Sequence, residues 1–138
     1  MTSTMQDLEI ALEDRPGTLA KAAETIAAEQ LNLEGGAGFE CGGEGVFHAL
    51  FKTEKDASTA KRALEKAGHK VREMMAVVVA DAEDKPGEAA RLFRAIADQE
   101  VNVKFTYLAT NTRVVIGTDE PSKVIEALRS AGTTQARR

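Results

Sequence analysis

The sequence predicts an α+β protein made of two ferredoxin-like βαββαβ repeats, each an antiparallel sheet with its helices on one face. The segment "EDRPG" at 13–17 returns as "EDKPG" at 83–87, and residues 15–33 lie over residues 85–103 without a gap. Alternating strands and one-faced helices follow in the same order in both halves. Such a repeat indicates a duplication. We therefore assign residues 1–73 to the first repeat and residues 74–138 to the second.

The first repeat contains the complete βαββαβ pattern. Residues 7–12 alternate between apolar and polar side chains, which is typical of a half-buried strand. Pro16 suits the first turn of a helix, where its missing N–H costs nothing. The predicted elements are a strand over 7–12, a helix from Pro16 to about Glu29, strands over 31–37 and 46–52 joined by a glycine-rich loop at 38–45, a helix over 57–67 closed by Gly68, and a strand from Val71.

The second repeat follows the first without a linker and is shorter at its end. The segment 71–84 runs directly from the last strand of one repeat into the first strand of the next. Only "TTQARR" follows Gly132, so we expect the fourth strand of this repeat to be short or missing. The predicted elements are strands over 76–82, 101–108 and 113–118, a turn at Thr110 and Asn111, and helices over 86–99 and 121–131.

The composition excludes several classes of function. Acidic residues outnumber basic ones by 22 to 18, and this balance argues against binding to nucleic acid or to an anionic membrane. Cys41 is the only cysteine, and neither His48 nor His69 has a second nitrogen or thiol at metal-ligand spacing. No signal peptide or apolar span is evident. We expect a cytoplasmic protein with no metal and no cofactor.

The strand–Asp-x-Pro-Gly–helix segments suit the binding of a carboxylate. The first N–H groups of a helix have no partner within the helix, and the helix dipole adds positive charge there. Glycine lets a ligand approach the backbone closely. Asp14 or Asp84 could accept hydrogen bonds from an ammonium group, and Asn32 or Asn102 offers both a donor and an acceptor. The pattern therefore favours an amino acid as the ligand.

These features resemble the ACT domain family, whose members are small regulatory modules that bind amino acids where two domains meet. The resemblance rests on D-x-P-G after an aliphatic strand, on the alanine-rich helix and on the x-N-[LV] segment that follows it, and it covers nearly the whole chain. It implies a stand-alone tandem ACT protein, a homodimer that passes a signal to an enzyme or a transcription factor. The ligand-binding positions that it implies are Asp14, Pro16, Gly17, Thr18, Leu19 and Asn32 in the first repeat and Asp84, Pro86, Gly87, Glu88, Ala89 and Asn102 in the second.

The two predicted sites differ in one residue that matters for an anion. Thr18 has a hydroxyl that can donate to a carboxylate, whereas Glu88 places a negative charge at the same point or serves only the helix dipole. We expect the first loop to be the better site. The aliphatic neighbours of the two loops favour a small or branched aliphatic amino acid; they are Leu19, Leu33, Ala89 and Val103.

Three other classes of function compete with this interpretation. An RNA-binding module of the same fold needs aromatic residues on its central strands, and "VFHALFK" and "TRVVIGT" do not match that pattern. The acids at 13–14 and 83–84 have no nucleophile or base beside them, so we expect no enzyme activity. A ligand-free oligomerisation or protein-interaction module remains as the alternative to an amino-acid-binding regulatory protein.

Overall fold

The computed structural model describes residues 2–136, and the side chains of residues 2–132. The described chain is an α+β protein with six strands and four helices, consistent with the ferredoxin-like fold of ACT domains. The elements in chain order are β1 (Thr2–Glu13), α1 (Thr18–Ala28), β2 (Gly35–Cys41), β3 (Glu44–Phe51), α2 (Glu54–Lys66), β4 (Lys70–Asp81), α3 (Glu88–Asp98), β5 (Phe105–Ala109), β6 (Arg113–Gly117) and α4 (Pro121–Ala136).

The chain forms two compact units. The N-terminal unit is Met5–Ala76, and the C-terminal unit combines residues 2–4 with the chain from Val77 onward. β4 runs from Lys70 to Asp81 without a break, which confirms the predicted absence of a linker. The boundary at 73/74 that the sequence suggested lies inside this strand.

In the N-terminal unit, β3 is hydrogen-bonded to β1 on one side and to β2 on the other, both antiparallel. The predicted alternation of β1 is confirmed, since Leu8, Ile10 and Leu12 all belong to one apolar cluster. Both helices contribute to that cluster, so they cover the same face of the sheet. The buried members are Leu8, Ile10, Leu12, Ala22, Ile26, Ala49, Phe51, Ala57, Ala60 and Leu64.

The C-terminal unit has the same construction around β6, which pairs antiparallel with β4 and with β5. The tight turn before β6 is confirmed. Asn111 and Thr112 both have positive φ, 59° and 52°, which is the geometry of a type I′ hairpin turn. The buried members of its apolar cluster are Val78, Ala80, Leu92, Ile96, Val101, Val114, Ile116, Val124 and Leu128.

The predicted helix starts are wrong by two residues in both repeats. The helices begin at Thr18 and Glu88, and Pro16 and Pro86 lie in the preceding turn. The glycine after each proline has a left-handed φ, 93° at Gly17 and 87° at Gly87. A helix of L-residues cannot run through that conformation, so it starts after the glycine.

The predicted second strands also start too early. Strand β2 begins at Gly35 and β5 at Phe105, so Asn32 and Asn102 lie in loops. These loops follow residues with positive φ, Gln30 and Glu100. Their apolar residues pack against the cores without joining a sheet, and this produced the strand-like alternation. The stretch 38–45, predicted as a loop, is mostly strand, with its turn at Gly42 and Gly43.

The last helix is longer than predicted. Helix α4 continues past Gly132 to Ala136, so the first part of "TTQARR" is helical and residues 137–138 lie outside the described part of the chain. An interior glycine weakens a helix by about 1 kcal/mol but does not by itself end it. Within residues 77–136 no strand follows β6, and residues 2–4 of β1 belong to this unit.

Candidate functional site

The loop between β1 and α1 is held by its own backbone. The Arg15 amide donates to the Glu13 carbonyl at 2.9 Å, and the Lys21 amide donates to the Gly17 carbonyl at 3.0 Å. The Thr18 amide makes only a long bond, 3.4 Å, to the Arg15 carbonyl. Among the described residues no side chain caps α1, and its first turn contains no acidic residue. The start of α1 therefore has N–H groups and a positive dipole end that are not neutralised locally.

The Thr18 hydroxyl has a different role from the predicted one. It lies 2.7 Å from the Glu13 carbonyl oxygen and 3.1 Å from that of Arg15, and it donates to this pair of acceptors. Its single proton is thus used by the loop itself, and its oxygen remains free to accept. Donors for a carboxylate at this loop must come from the backbone of α1 or from another side chain.

A cavity of about 350 Å³ opens beside this loop, within the N-terminal unit. Its polar lining residues lie at the loop and at the ends of the elements that flank it; its apolar lining residues come from β1, α1, β2 and β3, with glycines on β2 and β3. Asp14, Thr18 and Leu19 from the sequence-predicted set line it together. The full lining is Leu12, Glu13, Asp14, Arg15, Thr18, Leu19, Gly38, Phe39, Gly45, Val46 and Phe47.

Arg15 is the charged donor at the cavity that sequence reasoning missed. Its Nε donates to the Glu13 carboxylate, and the Arg15 side chain is about half exposed. The hydrogen bond and the positive charge of Arg15 lower the pKa of Glu13. A guanidinium has further N–H groups that can hold a second carboxylate. The basic residue that follows two acidic residues in "EDRPG" was the available signal.

The other predicted residues of the first repeat lie apart from the cavity wall. Pro16 and Gly17 form the exposed tip of the loop and do not line the cavity. Asn32 is exposed, does not line it, and donates from Nδ2 to Glu34 at 2.9 Å. Asn32 therefore acts within its own loop, since its amide bonds to a neighbour two residues away.

The matching loop of the second repeat contains a buried carboxylate. Glu88 is 4% exposed; it accepts the Glu83 amide at 3.0 Å and Arg91 Nε at 2.8 Å. The hydrogen bond from Arg91, together with the Glu83 amide and nearby positive charges, outweighs burial and lowers the pKa of Glu88. Glu88 thus supports the structure of its loop. The remaining predicted positions, Asp84, Pro86, Gly87, Ala89 and Asn102, are exposed.

A larger cleft of about 970 Å³ lies at the same β1–α1 loop and shares five residues with the cavity. Its other residues come from the outer side of α1, the end of α2 and the starts of β3 and β4, and many of them are charged. Acidic and basic side chains alternate there, among them Lys21, Glu24 and Lys70. The lining of the smaller cavity combines the charged segment 13–15 with apolar side chains of the strands and of α1, a combination typical of small-molecule sites.

A buried polar pair lies on the N-terminal sheet. His48 Nδ1 is 2.8 Å from the Asp7 carboxylate, both residues are almost fully buried, and the Phe39 ring stacks on the imidazole. Asp7, predicted on the solvent side of β1, is therefore an interior residue. Burial lowers the pKa of His48, but the Asp7 hydrogen bond and the charges of Asp7, Glu9 and Glu73 outweigh it, so the net shift is upward.

The described chain contains neither a metal-ligand cluster nor a membrane-spanning helix. In residues 2–136, no group of three or more His, Cys, Asp or Glu side chains is arranged to hold a metal ion. No helix in that part of the chain is long and apolar enough to cross a membrane.

Comparison with solved structures confirms the fold resemblance. No protein-family model matches the sequence, and no curated protein matches it. Protein BT0572 from Bacteroides thetaiotaomicron is 25% identical, with a TM-score of 0.79 over 95% of this chain and 90% of that one. The ligand-free regulatory subunit of aspartate kinase from Thermus thermophilus is 18% identical, with a TM-score of 0.70 over 95% of both chains. The corresponding subunit from Thermus flavus is 19% identical with the same TM-score, over 96% of this chain and 95% of that one.

These aspartate kinase regulatory subunits are ACT-domain proteins, so the ACT resemblance predicted from the repeated loop is confirmed at the level of the fold. The two Thermus proteins are regulatory subunits, not catalytic domains.

Proposed function

We propose that this protein is a non-catalytic regulatory protein that binds a free amino acid at the cavity beside the β1–α1 loop. The observation that carries the proposal is the two-sided cavity, in which uncapped helix N–H groups and Arg15 lie next to an apolar wall. A free amino acid has the same division between a charged head and a side chain. Convergent polar groups at one end of an apolar pocket are typical of ligand sites.

The charged head of the ligand would lie at the loop. Its carboxylate would accept from the first amides of α1 and from the Arg15 guanidinium. Its ammonium group would lie near the Asp14 carboxylate, which lines the same cavity. Because the Thr18 hydroxyl already donates to loop carbonyls, Thr18 would hold the loop in shape and leave the N–H groups to bind the ligand.

A regulatory role in complex with another chain is supported by the fold comparison. The Thermus regulatory subunits align with this chain over 95% or more of its length and 95% of theirs. We propose that this chain likewise acts on a separate partner, an enzyme or a transcription factor, as a homodimer. Occupancy of the loop would alter the stability of the N-terminal unit, and the partner would respond to that change.

The test is a thermal-shift screen of the whole chain against the standard amino acids at millimolar concentration. A ligand that binds only the folded state stabilises it by RT ln(1 + [L]/Kd), which is about 2.7 kcal/mol at a 100-fold excess over Kd. We expect one chemically related group of amino acids to raise the melting temperature by several degrees.

A matched pair of variants separates the first loop from the second. Gly17 and Gly87 have nearly the same φ, and a Cβ at either meets nothing within 4 Å in the described structure. Gly17→Asp adds a negative charge at the N-cap of α1, beside the amides that would bind the carboxylate, so it should abolish the thermal shift. Gly87→Asp introduces the same strain in the other repeat and should leave the shift intact. A wild-type chain with no ligand-dependent shift would contradict the proposal and favour a ligand-free assembly role.

A further inference from the structure

We infer that Gly38 sets the size of the ligand side chain, and that the ligand is an amino acid with a branched aliphatic or larger apolar side chain. This inference rests on the proposed function, since it assumes that the cavity beside the β1–α1 loop holds an amino acid. It adds the residue that determines specificity and the class of side chain.

Gly38 lies in β2 opposite Phe47 of β3, and both residues line the cavity. A Cβ added at Gly38 would lie 3.7 Å from Phe47 Cδ1 and 3.8 Å from the Val46 carbonyl oxygen. These are ordinary van der Waals distances, and the φ of Gly38 is one that any L-residue adopts. Neither packing nor backbone geometry therefore requires glycine at this position.

At Gly36 of β2 and Gly45 of β3, by contrast, close packing explains the glycine. A Cβ at Gly36 would lie 2.6 Å from the His48 carbonyl oxygen, a distance that would force the backbone to move. A Cβ at Gly45 would lie 3.3 Å from the Leu12 carbonyl oxygen and 3.4 Å from Leu12 Cβ, which is also tight. Gly38 differs from both, because the effect of its missing side chain is to leave part of the cavity empty.

The wall around this space is apolar. Leu12, Leu19 and Phe47 surround it, and the charged lining residues come from the loop segment 13–15. Leu19 is 50% exposed beside the cavity, and an apolar ligand would cover it. A charged side chain placed against this wall would lose hydration without gaining a partner.

The cavity volume agrees with a ligand of this size. At about 350 Å³ it lies near the lower end of the range for small-molecule sites, roughly 300–1,000 Å³. With the charged head at the loop, the remaining space lies over Gly38. A side chain at residue 38 would occupy the volume that the ligand side chain needs.

The experiment measures the affinity of glycine, alanine, leucine, phenylalanine and lysine for the wild-type chain and for three variants by titration calorimetry. Gly38→Val places a side chain in the cavity. Gly38→Ala is the milder change that keeps the test valid if the valine disturbs folding. Gly132→Ala is the control, because Gly132 is exposed in α4 and its added Cβ meets nothing within 4 Å among the described residues.

We expect wild type to bind leucine or phenylalanine more tightly than alanine and lysine. Gly38→Val should lower the affinity for the larger ligands by at least about tenfold. A misfit of one methylene or more in a hydrophobic pocket has an effect of this size. Its affinity for alanine should stay within about threefold of wild type. Gly38→Ala should give a smaller effect in the same direction, and Gly132→Ala should match wild type for every ligand.

Three results would overturn the inference, and they differ from one another. If both Gly38 variants lowered the affinities for alanine and for leucine by the same factor, Gly38 would not select the ligand by size. Tightest binding of lysine by wild type would contradict the apolar class while leaving the proposed function in place. Binding of none of the amino acids by wild type would remove the proposed function and this inference together.

Discussion

The β1–α1 and β4–α3 loops have the same backbone and different chemistry. Their first amide bonds, from Arg15 to the Glu13 carbonyl and from Lys85 to the Glu83 carbonyl, are 2.9 and 3.0 Å long. The amides of Thr18 and Glu88 make bonds of 3.4 Å in both loops. In both repeats the second residue after the helix has a positive φ: Gln30 at 59° and Glu100 at 57°. The duplicated sequence thus builds one backbone design twice.

The side chain at the first helical position gives the two loops different hydrogen bonds. Thr18 donates its hydroxyl proton to the carbonyl that ends β1, whereas Glu88 accepts the amide of the residue at the matching position, Glu83. Glu88 also binds Arg91, whose Nη1 donates to the Ala131 carbonyl of α4 at 2.9 Å. The second loop has a buried carboxylate of its own at the start of α3 and is tied to its unit, while the first turn of α1 contains no acidic residue. Under the proposed function, we expect ligand binding to depend on the side chain at the first helical position and not on the loop backbone.

The largest expected effect comes from removing the internal anion. Glu88→Ala should destabilise the protein by about 2 kcal/mol, because it leaves the Glu83 amide and the partly buried Arg91 without their acceptor. Urea unfolding followed by circular dichroism measures this. Ala89→Ser, at the exposed neighbouring position, is the control and should stay near wild type. A Glu88→Ala midpoint equal to wild type would contradict the structural role of Glu88.

The next largest effect concerns the left-handed glycine of each loop, and it tests whether the two loops share the same backbone constraint. Gly17→Ala and Gly87→Ala should each cost about 1–2 kcal/mol, because an alanine side chain is strained at positive φ even where space is open. The two midpoints in urea should shift by similar amounts. A shift at only one of the two positions would mean that the loops do not share the same constraint.

A smaller effect is expected from the hydroxyl of the first loop. Thr18→Val keeps the shape of the side chain and removes the bonds to the Glu13 and Arg15 carbonyls, at a cost of about 1 kcal/mol. Thermal denaturation measures it, with Thr25→Val as a control that removes a hydroxyl bonded within α1. If Thr18→Val stabilised the chain, the loop carbonyls would not depend on the hydroxyl.

The pH dependence of Glu88 is expected to be smaller still. Because its pKa is lowered in the folded state, its contribution is present above the ordinary value of 4.5 and is lost as the pH falls through the folded pKa. The stability difference between wild type and Glu88→Gln should therefore shrink on acidification from about pH 6 to about pH 3. Melting temperatures of both proteins across that range measure it. A difference in melting temperature that stayed constant across this pH range would show that the charge of Glu88 does not contribute to stability.

The stability of the N-terminal unit should change with pH in a higher range than that of Glu88. The pKa of His48 is raised in the folded state, so its contribution is complete below the ordinary value of 6.5 and is lost as the pH rises through the folded pKa. We expect Asp7→Asn to remove this dependence, since it removes the carboxylate that holds the imidazolium. Melting temperatures between about pH 5 and pH 8 test it, with His69→Gln as the control. A wild-type slope retained in Asp7→Asn would contradict the pairing.

Local patterns were predicted well. The duplication, the order of strands and helices, the uninterrupted β4 and the tight turn at Asn111 all follow from short-range chemistry. The strand starts at 31 and 101 were wrong because apolar alternation also occurs in a loop that packs on the core. The end at Gly132 was wrong because a glycine allows a helix to stop without requiring it.

The amino-acid sequence by itself determined that one loop design occurs twice and that Thr18 and Glu88 make the two copies different. Only the tertiary structure decided which groups meet at the first loop. It brought Arg15, Leu12, Gly38 and Phe47 into one cavity wall and left Asn32 outside it. The physical reason is that helix starts and turns are set by neighbours in the chain, whereas a cavity is set by strand pairing between distant segments. The register that places Gly38 opposite Phe47 and Gly45 opposite Leu12 exists only in the folded sheet.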